Sequence, residues 1–171
     1  MREVNMWEIE TGCYAEGYRV ICGVDEAGRG PLAGPVCAAA VMLPSHAEIP
    51  GLNDSKKLTD KKRRELMPVI KEMALGYGIA FADEKEIDEI NILQATYLAM
   101  QRAIAQLEGK ADFALIDGNR ETDFGIPCLT GIKGDSRSAN IAAASVLAKG
   151  TRDIYMEELA ERYPQYGFEI H

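Results

Sequence analysis

The chain has 171 residues, of which 47% are hydrophobic and 27% are charged, and this balance predicts one globular domain rather than a disordered or fibrous protein. No apolar run reaches the length of a membrane-spanning helix, and the N-terminal residues lack the cationic and then apolar order of a secretory signal. The formal net charge of −8 argues against a protein that grips nucleic acid through a broad basic surface.

The cysteines give no sign of a disulfide framework. The four of them, Cys13, Cys22, Cys37 and Cys128, are scattered and form no Cys-x-x-Cys pair. This usage is typical of a reducing compartment and argues against a zinc site. We therefore expect a cytoplasmic protein that has no membrane partner and acts as a monomer.

The first part of the chain predicts two neighbouring strands. Residues 1–18 show no clear period and are expected to form a short helix or loop on the core. Residues 20–24 form a short apolar run that predicts a buried strand, and residues 36–43 form a second, which ends at Pro44. The Gly/Pro-rich connection between the runs is short, which favours an antiparallel pair.

A helix is predicted next, over residues 60–73. Thr59 is a candidate cap for its first turn, and Pro68 lies inside it, where we expect a kink or a break. The apolar face of this helix is predicted from residues at helical spacing, namely Leu66, Val69, Ile70 and Met73.

Strands and helices follow in the second half of the chain. Asn91 is expected to cap a long helix that reaches residue 107 and stops at Gly109, with Leu93, Tyr97, Met100, Ile104 and Leu107 on its buried face. The remaining elements are predicted as strands over residues 77–82, 113–117 and 127–132 and a final helix over residues 140–162.

This order of elements indicates an α/β domain with a mixed five-stranded sheet covered by helices. No Gly-x-Gly-x-x-Gly joins a strand to a helix, and no Gly-Lys-Ser/Thr is present. The sequence therefore predicts neither a dinucleotide-binding fold nor a P-loop.

Carboxylates stand where predicted strands end. Asp25 and Glu26 follow the first strand, Asp117 ends the fourth, and Asp135 precedes the final helix. Adjacent residues on a strand point to opposite faces, so Asp25 and Glu26 serve one site only if the strand ends or bulges between them. Converging carboxylates repel one another unless cations lie between them, and oxygen ligands suit Mg²⁺ or Mn²⁺.

Four stretches carry a resemblance to a known family. The first is Val-Asp-Glu-Ala-Gly-Arg-Gly-Pro-Leu-Ala-Gly-Pro-Val at residues 24–36. In the same order follow Asn-Asp-Ser-Lys-Lys-Leu at 53–58, Leu-Ile-Asp-Gly-Asn at 115–119, and a fourth stretch in two parts, Lys-Gly-Asp at 133–135 followed by Ser-Val-Leu-Ala-Lys at 145–149. Together they resemble the ribonuclease HII family over residues 20–171.

The resemblance implies a ribonuclease H-like fold and a metal-dependent endonuclease. Such an enzyme hydrolyses the RNA strand of RNA/DNA hybrids, cuts at single ribonucleotides embedded in DNA, and leaves 3′-hydroxyl and 5′-phosphate ends. The family's catalytic carboxylates hold Mg²⁺ or Mn²⁺, in a two-metal site that suits in-line displacement at phosphorus. In this sequence they correspond to Asp25, Glu26, Asp117 and Asp135.

The same resemblance implies where substrate is held. Gly28, Arg29 and Gly30 contact the ribose, whose 2′-hydroxyl both donates and accepts and is therefore readable by the backbone of a glycine loop. Ser55 and Lys56 match a second substrate-contacting motif, although Lys56 is also explained as a solvated lysine.

Three residues of the final helix have two interpretations each. Lys149 and Arg152 face either a phosphate or water. Asp153 resembles a further family position near the metals, but a solvated or helix-pairing acid is the favoured explanation. Local positive charge at Lys57 and at residues 61–64 predicts weak, salt-sensitive binding to nucleic acid.

Two departures from the family pattern stand out. The chain stops at His171, before the tyrosine of a Lys-Gly-Tyr motif, so we expect the C-terminal part of the family's chain to be missing and activity to be impaired. Gly150 stands where the family usually has valine and is expected to weaken the last helix, by about 1 kcal/mol relative to alanine. Two alternatives stay open: a nucleic-acid-binding module that cleaves slowly, and another nuclease of the same fold, such as the type I hybrid nuclease.

Overall fold

The computed structural model describes residues 5–28, 34–52, 57–120, 122–133 and 137–162. Within these ranges lie four helices and five strands. They are, in chain order, α1 (Glu8–Ala15), β1 (Ile21–Ala27), β2 (Val36–Met42), α2 (Asp60–Met73), β3 (Gly76–Ala82), α3 (Glu84–Ala105), β4 (Phe113–Asp117), β5 (Cys128–Ile132) and α4 (Ala139–Arg162).

The strands form one mixed sheet in the order β3-β2-β1-β4-β5. β1 pairs with β2 and β2 with β3 in antiparallel fashion, while β4 runs parallel to both β1 and β5. The predicted α/β fold with a mixed five-stranded sheet is confirmed, and so is the antiparallel β1–β2 pair.

Helices cover both faces of the sheet, which explains why β2, an inner strand of the sheet, is apolar throughout. Alternate residues of a strand face opposite sides. Val36, Ala38 and Ala40 pack in the core under α3, whereas Ala39 and Val41 pack in a second core with α2 and α4. Every residue of β2 is buried, as a strand between two helical layers requires.

Helix α4 lies directly on β1 because the strand has a glycine at the contact. A Cβ built at Gly23 would lie 2.2 Å from the carbonyl carbon of Asn140 and 2.3 Å from the amide nitrogen of Ile141. No side chain fits there. Gly23 therefore seats the first turn of α4 beside the part of β1 that carries Asp25.

The α2 helix begins and ends as predicted, but it is not broken. The hydroxyl of Thr59 accepts a hydrogen bond from the amide of Lys62 at 3.1 Å, and the helix continues through Pro68. Its buried face is shifted from the prediction, since Val69 and Met73 are 38% and 37% exposed. The helix packs instead through Leu66, Met67 and Ile70.

The α3 helix consists of two segments that meet at Asn91, where φ is 72°. Asn91 caps the second segment, as predicted, by accepting a hydrogen bond from the amide of Gln94 at 3.0 Å. The first segment was not predicted; a reciprocal pair of hydrogen bonds between Asp83 and Glu86 starts it. Leu93, expected on the buried face, is 38% exposed because it lies in the first turn after the kink.

Gly150 has a packing role that its sequence position did not indicate. A Cβ at this residue would lie 2.3 Å from the sulfur of Met67, so the glycine makes room for α2 against α4. Gly150 therefore lowers the intrinsic helix propensity of α4 but allows α2 and α4 to pack closely.

Helix α1 anchors the start of α4 through a buried carboxylate. Glu10 is fully buried, and its Oε2 accepts hydrogen bonds from the hydroxyl of Ser138 at 2.9 Å and the side-chain amide of Asn140 at 2.9 Å. The side-chain oxygen of Asn140 in turn accepts from the amide of Leu43 at 2.8 Å. One acid therefore joins α1, α4 and the end of β2.

Burial raises the pKa of Glu10 from its ordinary value of 4.5, against the hydrogen bonds from Asn140 and Ser138. The folded chain therefore binds this proton more tightly than the unfolded chain, and the resulting stability is present below pH 4.5 and lost as pH rises through the folded pKa. Relative to a Glu10→Gln variant, the wild type is expected to gain free energy of unfolding as the pH falls from 7 towards 4.5. Urea unfolding of both proteins between pH 7 and 4.5 measures this change. If the difference in free energy of unfolding between the two proteins did not depend on pH, the prediction would be contradicted.

No helix of the described residues is long and apolar enough to cross a membrane.

Candidate active site

Two of the predicted acids lie side by side near the C-terminal ends of neighbouring parallel strands. Val24 of β1 is paired with Ile116 of β4, so Asp25 and Asp117 follow at equivalent positions. They line one cavity of about 160 Å³ together with Gly118, Ile132, Lys133, Ser145 and Lys149. The parallel pairing brings together two carboxylates that are far apart in the sequence, at the strand ends where sites of open α/β sheets lie.

Asp25 occupies an environment that disfavours its charge. The residue is 7% exposed, and burial, followed by the charges of Glu26 and Asp117, raises the pKa of Asp25 well above its ordinary value. The amide of Glu26, which donates to Oδ1 at 2.8 Å, and the ammonium of Lys149 act in the opposite direction. A cation between the carboxylates would remove this repulsion.

Glu26 lines a space that adjoins the cavity of Asp25 and not that cavity itself, and the strand neither ends nor bulges between the two residues. β1 continues to Ala27, with Asp25 paired to Ala39 and Glu26 to Ala38. The two side chains therefore diverge, as successive residues of a strand do. Glu26 lines a larger neighbouring cleft instead.

A buried ion pair orients Glu26. Its Oε1 lies 2.6 Å from Nη2 of Arg120, and the two side chains are only 12% and 9% exposed. The guanidinium also donates to the carbonyl of Asn119 at 2.9 Å and lies over Gly118, whose missing side chain makes room for it. Sequence analysis missed Arg120; its only signal is its place three residues after Asp117.

The larger cleft contains the first residue of the predicted ribose-contacting loop. Its volume is about 410 Å³, and its lining residues are Glu26, Ala27, Gly28, Arg63, Lys149, Arg152 and Asp153. Since Lys149 lines this cleft and the acidic cavity, the two spaces adjoin. An equally large cavity beside Trp7 contains none of the predicted site residues.

Arg152 packs against Gly28 and holds the far end of the glycine-rich loop. It is 7% exposed, and its Nε donates to the carbonyl of Pro35 at 2.8 Å. A Cβ at Gly28, where φ is +102°, would lie 2.4 Å from this Nε and 2.7 Å from the Pro35 oxygen. Position 28 therefore requires glycine, both because of its left-handed backbone conformation and because there is no space for a Cβ.

The rest of the predicted site lies outside the described residues, namely Arg29, Gly30, Ser55, Lys56 and Asp135. Among the residues that the structure does describe, no three His, Cys, Asp or Glu side chains converge as a metal cage.

The donors that are present fit a hard divalent cation. Asp25 and Asp117 offer carboxylate oxygens to one cavity, and Oε2 of Glu26 is buried without a hydrogen-bond partner among the described atoms. All these donors are oxygens, which suits Mg²⁺ or Mn²⁺ better than zinc.

A mixed sheet in this strand order, with acids at the ends of β1 and β4, defines the class of ribonuclease H-like nucleases. Solved structures agree. Ribonuclease H2 from Pyrococcus horikoshii has a TM-score of 0.71 at 26% identity over 85% of this chain and 77% of that one. Ribonuclease HII of Archaeoglobus fulgidus, solved with PCNA, has a TM-score of 0.74 at 25% identity over 85% and 78%.

The family model of ribonuclease HII matches residues 22–171. The chain is 58% identical to ribonuclease HII of Dechloromonas aromatica over 89% of this chain and 78% of that protein. It is 51% identical to the Acetivibrio thermocellus protein over 99% and 66%. The chain belongs to the ribonuclease HII family, whose members cleave RNA in RNA/DNA hybrids and at ribonucleotides embedded in DNA.

Proposed function

We propose that this chain hydrolyses the RNA strand of hybrids and cuts at single embedded ribonucleotides with four carboxylates as its catalytic groups. They are Asp25, Glu26, Asp117 and Asp135. The observation that carries the proposal is the shared cavity of Asp25 and Asp117 at the ends of two parallel strands. A divalent cation bound between these two carboxylates would remove their electrostatic repulsion.

The proposed cofactor is Mg²⁺ or Mn²⁺ in a two-metal site held by the same carboxylates. When bound, the ions supply charge stabilisation to the attacking and leaving oxygens of the phosphodiester. A structure of ribonuclease HIII in complex with Mn²⁺ has the same fold, with a TM-score of 0.68 at 21% identity, covering 85% of this chain and 55% of that one.

The described residues have distinct tasks in this proposal. The Glu26 amide holds the Asp25 carboxylate at 2.8 Å, and Arg120 holds Glu26 so that its Oε2 stays available. Lys149 lies between the acidic cavity and the adjoining cleft, where its ammonium contacts the phosphate backbone of the substrate.

Recognition of the ribose is assigned to the glycine-rich loop. Gly28, together with Arg29 and Gly30, contacts the 2′-hydroxyl through backbone groups, and Ser55 and Lys56 contact the neighbouring backbone of the substrate. Arg152 supports this arrangement by holding Gly28 and the carbonyl of Pro35 in place.

The test is cleavage of a labelled DNA duplex that contains one ribonucleotide, with Mg²⁺ or Mn²⁺ present. We expect a single cut that leaves 3′-hydroxyl and 5′-phosphate ends, no cut in an all-DNA duplex, and none after chelation of the metal. Binding without product would favour a non-cleaving module. Cutting only within runs of several ribonucleotides would favour type I specificity.

A further inference from the structure

The cleft beside the acidic cavity has the composition of a phosphate-binding site. Three cationic side chains line it, Arg63 from α2 and Lys149 and Arg152 from α4. Its two acids are both paired, Glu26 with Arg120 at 2.6 Å and Asp153 with Arg63 at 3.3 Å. The cleft is therefore biased towards positive charge in a chain whose formal net charge is −8.

Arg63 is the one member of the basic run at residues 61–64 that lines this cleft. Its side chain is only 16% exposed and is anchored by Asp153 and by the carbonyl of Leu58 at 3.4 Å. A guanidinium carries five N–H donors, so a group anchored in this way keeps donors for an anion. Its position is also fixed in advance, which lowers the entropic cost of binding.

Arg64, its neighbour, provides an internal comparison. Its side chain is 32% exposed and pairs with Asp60 at 3.2 Å on its own helix and with Glu157 on α4. Arg64 does not line the cleft. The two arginines have the same charge and both approach Asp60, Arg63 at 3.8 Å and Arg64 at 3.2 Å, but only Arg63 lines the cleft.

The position of the cleft indicates which phosphate it holds. One end contains Gly28, the start of the loop assigned to the ribose, and Lys149 joins it to the cavity of Asp25 and Asp117. A strand that passes from the acids along Gly28 must cross the cleft. We propose that the cleft binds a backbone phosphate of the cleaved strand next to the scissile one, with Arg63 and Lys149 as donors; this rests on the function proposed above.

The first test compares Arg63→Gln with Arg64→Gln in binding to the ribonucleotide-containing duplex, with Ca²⁺ in place of Mg²⁺. Arg63→Gln is expected to weaken binding about tenfold and to reduce the slope of log affinity against log salt by about 1. Arg64→Gln should change neither. Arg63→Lys should recover the slope, which a merely structural role of the guanidinium would not allow.

The second test locates the phosphate by replacing one linkage at a time with a neutral methylphosphonate. The wild type should lose affinity at one linkage adjacent to the cut, and Arg63→Gln should lose nothing further at that linkage. Equal losses in both proteins at every linkage would overturn the proposal. If Arg63→Gln does not fold, Lys149→Gln replaces it in the same scan, with the same outcome required at that linkage.

The two proposals fail differently. If the proposed catalytic function is wrong, the wild type gives no specific cut, whatever the binding data show. If only the phosphate site is wrong, the wild type cuts normally, while Arg63→Gln retains wild-type affinity and salt dependence. Single-turnover cleavage by Arg64→Gln should match the wild type in either case, because Arg64 does not line the cleft.

Discussion

Replacement of Asp25 or Asp117 by asparagine is expected to lower the cleavage rate at saturating Mg²⁺ by about 10³-fold or more. Both carboxylates line the acidic cavity, and an amide supplies neither the charge nor the second oxygen that binds a hard cation. The measurement is single-turnover cleavage of a duplex with one embedded ribonucleotide, with enzyme in excess so that weaker substrate binding does not enter the rate.

The unfolding temperature of each variant distinguishes a loss of catalytic groups from misfolding. Burial and the neighbouring acids disfavour the charge of Asp25, so Asp25→Asn should unfold at the same temperature as the metal-free wild type or higher. Asp88→Asn, at an exposed acid of α3, is the matched control and should keep full activity. Normal turnover by either Asp25→Asn or Asp117→Asn would contradict the assignment of these acids as catalytic groups.

Gly28→Ala is expected to lower cleavage at a single ribonucleotide by about 10²-fold while leaving metal binding intact. The added Cβ would lie 2.4 Å from Nε of Arg152 and 2.7 Å from the carbonyl oxygen of Pro35, in a backbone conformation with φ of +102°. The backbone must then move, and displacement of a positioning group by about 1 Å costs roughly that factor.

A second glycine variant controls for the effect of the methyl group itself. A Cβ at Gly12 in α1 meets no atom within 4 Å, so Gly12→Ala should leave cleavage unchanged. Rates and Mn²⁺ titrations of both variants make the comparison. Equal activity of Gly28→Ala and Gly12→Ala would show that the space beside Arg152 has no part in substrate recognition.

The sheet could be predicted from sequence because its signals are local. The apolar run of β2 reflects burial on both faces, and the caps at Thr59 and Asn91 reflect side chains that bond to the next turn. Asp25 and Asp117 were found because they follow apolar strands. Their shared cavity depends on the parallel pairing of β1 with β4, which places strand ends together whatever separates them in the chain.

The first segment of α3 was missed although its cap is local, whereas the missed features of the core and of the site depend on distant partners. Glu10 reads as an ordinary surface acid of a short helix, yet it bonds to Ser138 at the start of α4. Arg120 belongs to no sequence motif, and its role is recognisable only in the folded chain, where it forms an ion pair with Glu26. Arg63 and Arg64 both pair with acids of α4, Asp153 and Glu157, but only Arg63 lines the cleft. Long-range contacts of this kind leave no periodic pattern in a single sequence.

The most direct test of the carboxylate site is a crystal structure of the protein in Mn²⁺, with diffraction collected at the manganese absorption edge. The predicted anomalous peak lies between the carboxylates of Asp25 and Asp117, within ligand distance of both. A Mn²⁺ peak elsewhere on the protein, with those two carboxylates bound to no metal at saturating concentration, would contradict the proposed chemistry.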